Sequence, residues 1–222
     1  MMADDFDDPF DSQDITPAIS AEWEARRRVA AAIKSLTEAL VTSAPAPALL
    51  DELTTRLDAM TATLAAGRRL YGRLAFAAEG SHGNFAQLGH ELNALSGLSN
   101  PVAPPVHTWI DGDMAHGRVT VGWSGEGPPG TVHGGMVAAI FDQFLGTAQV
   151  LGKQPGMTGV LTTHFHRPTP LNTELRLQGR LLQAEGRKTR MVGEMYAGEV
   201  RTASCEGLFI RPRAGIAFLD TP

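Results

Sequence analysis

A chain of 222 residues, 43% of them hydrophobic and with a formal net charge of −5, is long enough for one domain with a substantial appendage or for two small domains. The acidic balance argues against nucleic-acid binding by the whole chain, and no apolar run reaches the length needed to cross a bilayer. Met1-Met2-Ala3-Asp4-Asp5 lacks the basic start and apolar core of a secretory signal, and a single cysteine excludes an internal disulfide framework, so a cytoplasmic protein is expected.

Residues 1–18 carry Asp4, Asp5, Asp7, Asp8, Asp11 and Asp14 among few apolar groups, a composition predicted to stay disordered. A helical hairpin is predicted over 19–70. In its first helix Trp23, Val29, Ile33, Leu36 and Leu40 mark one face, with Glu22 and Glu24 at the N-terminal end, where the helix dipole favours acids. Pro45 and Pro47 break that helix, and Leu49, Leu53, Leu57, Met60 and Leu64 carry a second. Neither face can be covered within the hairpin, so it must dock on something else. Residues 71–105 are Gly-rich and weakly periodic, and read as a connection with one short helix near Phe85–Leu95.

From Val106 the period changes to two. Strands are predicted at 106–110 and 116–123, joined by the Asp111-Gly112-Asp113 turn. Next comes Gly127-Pro128-Pro129-Gly130-Thr131-Val132-His133-Gly134-Gly135, held out of regular structure by its prolines and glycines. A helix over 135–151 follows, with Val137, Ile140, Phe141, Phe144, Leu145, Ala148 and Leu151 at helical spacing. Three further strands are predicted at 158–167, 173–184 and 187–212, the last broken near Gly198. In the second, Leu175, Leu177 and Leu181 alternate with charged and polar residues, so one sheet face is buried and the other wet. Residues 214–222 form a tail.

The loop and helix carry the candidate chemistry. Free amides at the helix start, with no side chains on Gly134 and Gly135, can approach an anion or a polarised carbonyl. Asp142 lies about two turns further on, in a stripe with Gly135, Ala138, Ala139, Gly146 and Gln149. Small residues around one carboxylate leave room for a ligand or for a second helix. A solvent-facing or arginine-paired aspartate is the plainer alternative.

The ordered series resembles hot-dog-fold acyl-CoA thioesterases of the phenylacetate-pathway and mammalian thioesterase-superfamily-member types. It runs through Asn100-Pro101-Val102-Ala103-Pro104-Pro105, the Gly-Pro-Pro-Gly…His-Gly-Gly loop with its acid nine residues after the histidine, and Thr158. It continues through Phe165-His166-Arg167-Pro168-Thr169-Pro170-Leu171, Glu185-Gly186-Arg187-Lys188 and Gly207-Leu208-Phe209-Ile210. The resemblance covers roughly residues 100–213. It implies an α+β hot-dog domain over 106–213, an antiparallel sheet wrapped around a long central helix, behind the N-terminal hairpin. The order of predicted elements suits that fold, while leaving other α+β arrangements open.

The same resemblance implies hydrolysis of acyl-CoA thioesters without a cofactor. Gly134 and Gly135 would serve as the oxyanion site, Asp142 as general base or nucleophile, and Thr158 would position the water or the acid. His133 would shape the loop or help polarise the carbonyl; a histidine held by backbone hydrogen bonds at the corner is the alternative. Arg167, Arg187 and Lys188 would meet coenzyme A phosphates, or else be solvated strand ends. A homo-oligomer, dimer or dimer of dimers, is implied, because loop and acid often come from different subunits. Some relatives carry an asparagine six residues before the histidine; here that position is Gly127. His164 and His166 could chelate a metal, but no third ligand is spaced to join them and no metal is expected. Cys205 reads as a small core residue. The competing reading is an acyl-CoA-sensing regulator whose helices bind DNA through Arg26-Arg27-Arg28 and Arg68-Arg69; mixed acids and the absence of a helix-turn-helix pattern argue against it. Neither nucleic acid nor membrane is expected as a partner.

Overall fold

The computed structural model describes residues 17–213. The predicted acidic tail, apart from Pro17 and Ala18, and the C-terminal tail lie outside those residues. Six strands form one antiparallel sheet: β1 His107–Asp111, β2 Met114–Thr120, β3 Met157–Phe165, β4 Glu174–Glu185, β5 Lys188–Ala197 and β6 Val200–Ile210. Their order across the sheet is β1-β2-β4-β5-β6-β3, which leaves β1 and β3 at the edges. Gly112 and Gly198 take positive φ at the β1–β2 and β5–β6 turns, where an L side chain would be strained.

The sheet wraps around one helix, α5 (Gly134–Ala148), which buries Val137, Ile140, Phe141, Phe144, Leu145, Thr147 and Ala148. This is the hot-dog arrangement. The helix can sit so close because a row of small residues crosses the sheet beneath it: Ala115 pairs with Gly179, Gly179 with Gly193, and Gly193 with Cys205. A Cβ on Gly179 would stand 2.8 Å from Phe144, and one on Gly193 3.0 Å from Leu145. Cys205 is the fourth member of that row and is buried, and its burial pushes the thiol pKa up.

The predicted helix over 135–151 ends earlier, at Ala148, and tightens into a 3-10 turn over Gln149–Gly152. Gln149 is the cause. Its amide nitrogen donates to Gly146 O and Gly156 O, and its Oε1 accepts from Gly156 N, so it ties the helix end to the start of β3.

The appendage departs further from expectation. Residues 71–105 hold two short helices rather than one, α3 (Arg73–Ala78) and α4 (Phe85–Leu92). The second opens on a reciprocal cap between Asn84 and Gln87. Helix α1 (Ala21–Thr42) docks Trp23 against Phe76 and Leu88, and the Trp23 indole donates to His82 O at 3.0 Å. Arg27 reaches Glu91, which is fully buried, at 2.6 Å, and the Ser99 hydroxyl also donates to that carboxylate.

Trp23 therefore does not share a face with Val29, Ile33, Leu36 and Leu40. At about 100° per residue, Trp23, Arg27, Ala30, Lys34 and Glu38 lie on one flank and the four aliphatic residues on another. Those four are exposed, Val29 at 53% and Leu40 at 54%. Helix α2 (Pro47–Ala65) buries no residue, and its Leu57, Met60 and Leu64 are exposed too. Within one chain, then, the hairpin does not lay its leucine faces on the sheet. Arg26 pairs inside the chain with Glu22, Arg28 with Glu24 and Arg68 with Glu79.

Candidate active site

The loop ahead of α5 is bound from both sides. Val132 N donates to Thr169 O at 2.8 Å and His133 N to Gly125 O at 2.9 Å. Across the loop, Gly127 N donates to Thr131 O and Gly130 N to the Glu126 carboxylate. Gly127 packs so tightly that a Cβ there would fall 2.6 Å from His133 Cα. The asparagine borne by some relatives at this position has no room in this loop unless the backbone moves.

His133 is the N-cap of α5. Its Nδ1 accepts from Gly135 N at 3.0 Å, and its carbonyl accepts from Met136 N and Val137 N. The sequence singled out two amides, and one of them, Gly135, is thus committed to the histidine. The Gly134 N–H has no acceptor among the described residues. The Phe165 ring stands beside it, 3.4 Å from where a Gly134 Cβ would be. Sequence reading gave Phe165 no role, because its place follows from the direction of β3 and not from spacing.

Asp142 lies on the exposed flank of α5, and its Oδ1 accepts from the Thr158 hydroxyl at 2.8 Å. This pairing joins two candidates that are 16 positions apart in the chain. A second group consists of His133, Gly134 and Gly135. The two groups do not meet within one chain: eight residues of helix separate Gly134 from Asp142, about 12 Å.

The basic candidates are divided in the same way. Arg167 follows β3 just beyond Phe165, with its backbone N bonded to Thr202 O. Arg187 and Lys188 sit at the β4–β5 turn, near the opposite end of β3, since Lys188 pairs with Ile210 and Ile210 with Met157. Arg187 donates to Arg211 O at 2.8 Å. His166 lies past the end of β3 and shares a hydrogen bond with the Ser204 hydroxyl. Among the described residues no cluster of three or more His, Cys, Asp or Glu could hold a metal ion. A cavity of about 350 Å³ lies on the other flank of α5, against Val106, Thr108, Val119 and Gln143; it touches neither Gly134 nor Asp142.

A model of the thioesterase superfamily matches residues 129–204, the stretch holding the loop, α5, β3, β4 and β5. A crystal structure described as a thioesterase superfamily protein is 31% identical, with the comparison covering 88% of this chain and 97% of that one at a TM-score of 0.70. The chain is also 36% identical to the acyl-coenzyme A thioesterase THEM4 of Xenopus laevis over 63 residues, which span 28% of either chain. The structure of the E. coli PaaI protein from the phenylacetic acid degradation operon is 16% identical, covering 49% of this chain and 80% of that one at a TM-score of 0.46.

Proposed function

This chain belongs to the thioesterase superfamily, and from that membership we propose that it hydrolyses acyl-CoA thioesters to the free acid and coenzyme A. The observation that carries the reading is the pair of half-sites on α5: an unengaged amide at its start, and a carboxylate held by a threonine two turns on. In the reaction the thioester carbonyl oxygen accepts from Gly134 N–H, where the positive end of the helix stabilises the charge that develops there. Gly135 contributes indirectly, by holding His133 as the cap. Thr158 fixes one oxygen of Asp142 and leaves the other to react. That oxygen either takes a proton from a water that adds to the carbonyl, or itself attacks the carbonyl to form a mixed anhydride that water then hydrolyses to the free acid and the regenerated carboxylate. The coenzyme A thiolate leaves and is protonated. A single turnover in H₂¹⁸O, read on both the acid and the protein, bears on the choice: label in Asp142 requires the nucleophilic route, whereas label in the acid alone fits either.

A span of about 12 Å is too long for one carbonyl to reach both half-sites of the same helix. The reading therefore includes a homodimer, alone or as a dimer of dimers, in which β3 edges pair antiparallel. Gly134 and Phe165 of one subunit then face the Asp142–Thr158 pair of the other. Exposed Met157, Val160 and Phe165 on this edge strand support it, as do Ala138, Ala139 and Gly146 on the outer flank of α5. The same pairing would bring Arg167 of one subunit to the end occupied by Arg187 and Lys188 of the other, where coenzyme A phosphates would bind. The exposed leucine faces of the hairpin suit contact with a neighbouring subunit. The arginine pairing within α1 supports a protein with no nucleic-acid partner. Among the described residues no helix is long and apolar enough to cross a membrane, and we place the protein in the cytoplasm.

Thiol release across a panel of acyl-CoAs, with Asp142→Asn alongside, tests the activity. The variant should lose at least about a hundredfold in kcat while keeping its fold. If it retains most of the wild-type rate, Asp142 is not the reacting group.

A further inference from the structure

The direction of the Gly134 amide depends on the irregular segment between β2 and α5, and one residue of the distant hairpin grips that segment. We propose that Glu38, in α1, is a positioning residue for the oxyanion loop, an inference that rests on the thioester-hydrolysis reading. Its Oε2 accepts from Trp123 N at 2.9 Å, and its Oε1 accepts from Ser124 N at 3.1 Å and from the Ser124 hydroxyl. The carboxylate fits because residue 122 is glycine: a Cβ there would stand 2.6 Å from Oε1.

From this grip the contacts run directly to the site. Gly125 N donates to Gly122 O, and Gly125 O accepts from His133 N at 2.9 Å. His133 in turn caps Gly135, beside the amide proposed to bind the carbonyl. Behind the grip, α1 is pinned at its far end by Trp23 in the Phe76–Leu88 cluster and by the Arg27–Glu91 pair. Glu38 lies 15 residues from Trp23 along the helix, about 22 Å, so α1 acts as a rigid strut between the small helical core and the loop. Hydrogen bonds from the Ser124 hydroxyl and the two amides hold the Glu38 carboxyl below the usual range, as a carboxylate engaged by several donors should be. Neither α1 nor Trp123–Gly125 lies within residues 129–204, the part matched by the family model.

The experiment uses the full chain with Glu38→Ala, Glu38→Gln and, as a control, Glu52→Ala on the exposed face of α2. Hydrogen exchange is read over residues 122–135 and over α1, together with kcat and KM for an accepted acyl-CoA. Glu38→Ala should speed exchange over 122–135 while α1 near Trp23 stays protected. It should lower kcat about tenfold with KM within about twofold, since sub-ångström misplacement of a transition-state donor acts on kcat. Glu38→Gln keeps one acceptor oxygen and should fall between. The control should change nothing. Unchanged exchange over 122–135, or an unchanged kcat, overturns the proposal. So does loosening of all α1 with a normal kcat, which would make Glu38 a docking residue only. A wild-type protein that hydrolyses no acyl-CoA overturns the functional reading and the positioning role with it, and the exchange data then report the strut alone.

Discussion

Helices α5 and α2 are of similar length, 15 and 19 residues, yet α5 buries seven side chains and α2 none. Both sequences place apolar residues at helical spacing, so what differs is the receiving surface. Under α5 the sheet offers a groove of Ala115, Gly179, Gly193 and Cys205, into which Phe141, Phe144 and Leu145 settle. Among the described residues nothing receives the Leu57, Met60 and Leu64 side of α2. Helix α1 stands between these cases, anchored by a few specific contacts on one flank and bare on the other. An amphipathic stripe tells that a helix must be covered; the shape of the partner decides by what.

Several substitutions would break or sharpen this contrast. The largest loss should follow Arg27→Met, which strands the buried Glu91 carboxylate; breaking such a pair costs about 3–5 kcal/mol, read as a fall in the chemical-denaturation midpoint. Gly179→Val comes next, since it drives methyl groups into Phe144, and overpacking of this kind costs about 1–3 kcal/mol. If Gly179→Val is as stable as wild type, the groove is not what seats α5. On the hairpin, Leu57→Glu with Leu64→Glu should leave single-chain stability within about 0.5 kcal/mol and shrink the oligomer seen in sedimentation. An unchanged oligomer would mean that these faces contact no neighbour.

The smallest effect is a pH dependence. The Glu38 carboxyl is held low in the fold by the Ser124 hydroxyl and the neighbouring amides. Its contribution to stability is therefore present above the free value of about 4.3 and is lost as pH falls through the folded value. The difference in melting temperature between wild type and Glu38→Gln should shrink below about pH 4. A difference that grows on acidification would contradict the hydrogen-bond pattern. Cys205, raised by burial, should stay unreactive to thiol reagents in the native protein.

Much of the body was legible in the sequence because each of its elements states its own period. Leu175, Leu177 and Leu181 alternate along β4, and the glycine- and proline-rich run ends where α5 begins. The small row under α5 was not legible, because it runs across four strands and exists only once their register is set. The face of α1 was misjudged for a related reason. Trp23 and Val29 both look apolar, but Trp23 is fixed by Phe76 and His82, more than fifty residues away, inside a segment too Gly-rich to read. At the candidate site the sequence offered Gly134 and Gly135 as equals, and it took the His133 ring to distinguish them, since only three-dimensional geometry commits its Nδ1 to Gly135. The Asp142–Thr158 contact was accessible only through resemblance, because 16 residues and a change from helix to strand separate the partners.

The central claim is that a carbonyl bound at Gly134 of one subunit reacts at Asp142 of another. Two variants, each damaging one half-site, test it directly. Gly134→Pro removes the amide while suiting the first position of a helix, and Asp142→Asn removes the reacting carboxylate. Each alone should be nearly inactive. Unfolded and refolded together in equal amounts, they should regain about a quarter of the wild-type rate, because half of the dimers are mixed and each mixed dimer holds one intact site. A mixture no more active than its components, in a sample shown by native mass spectrometry to contain mixed dimers, would contradict the shared site.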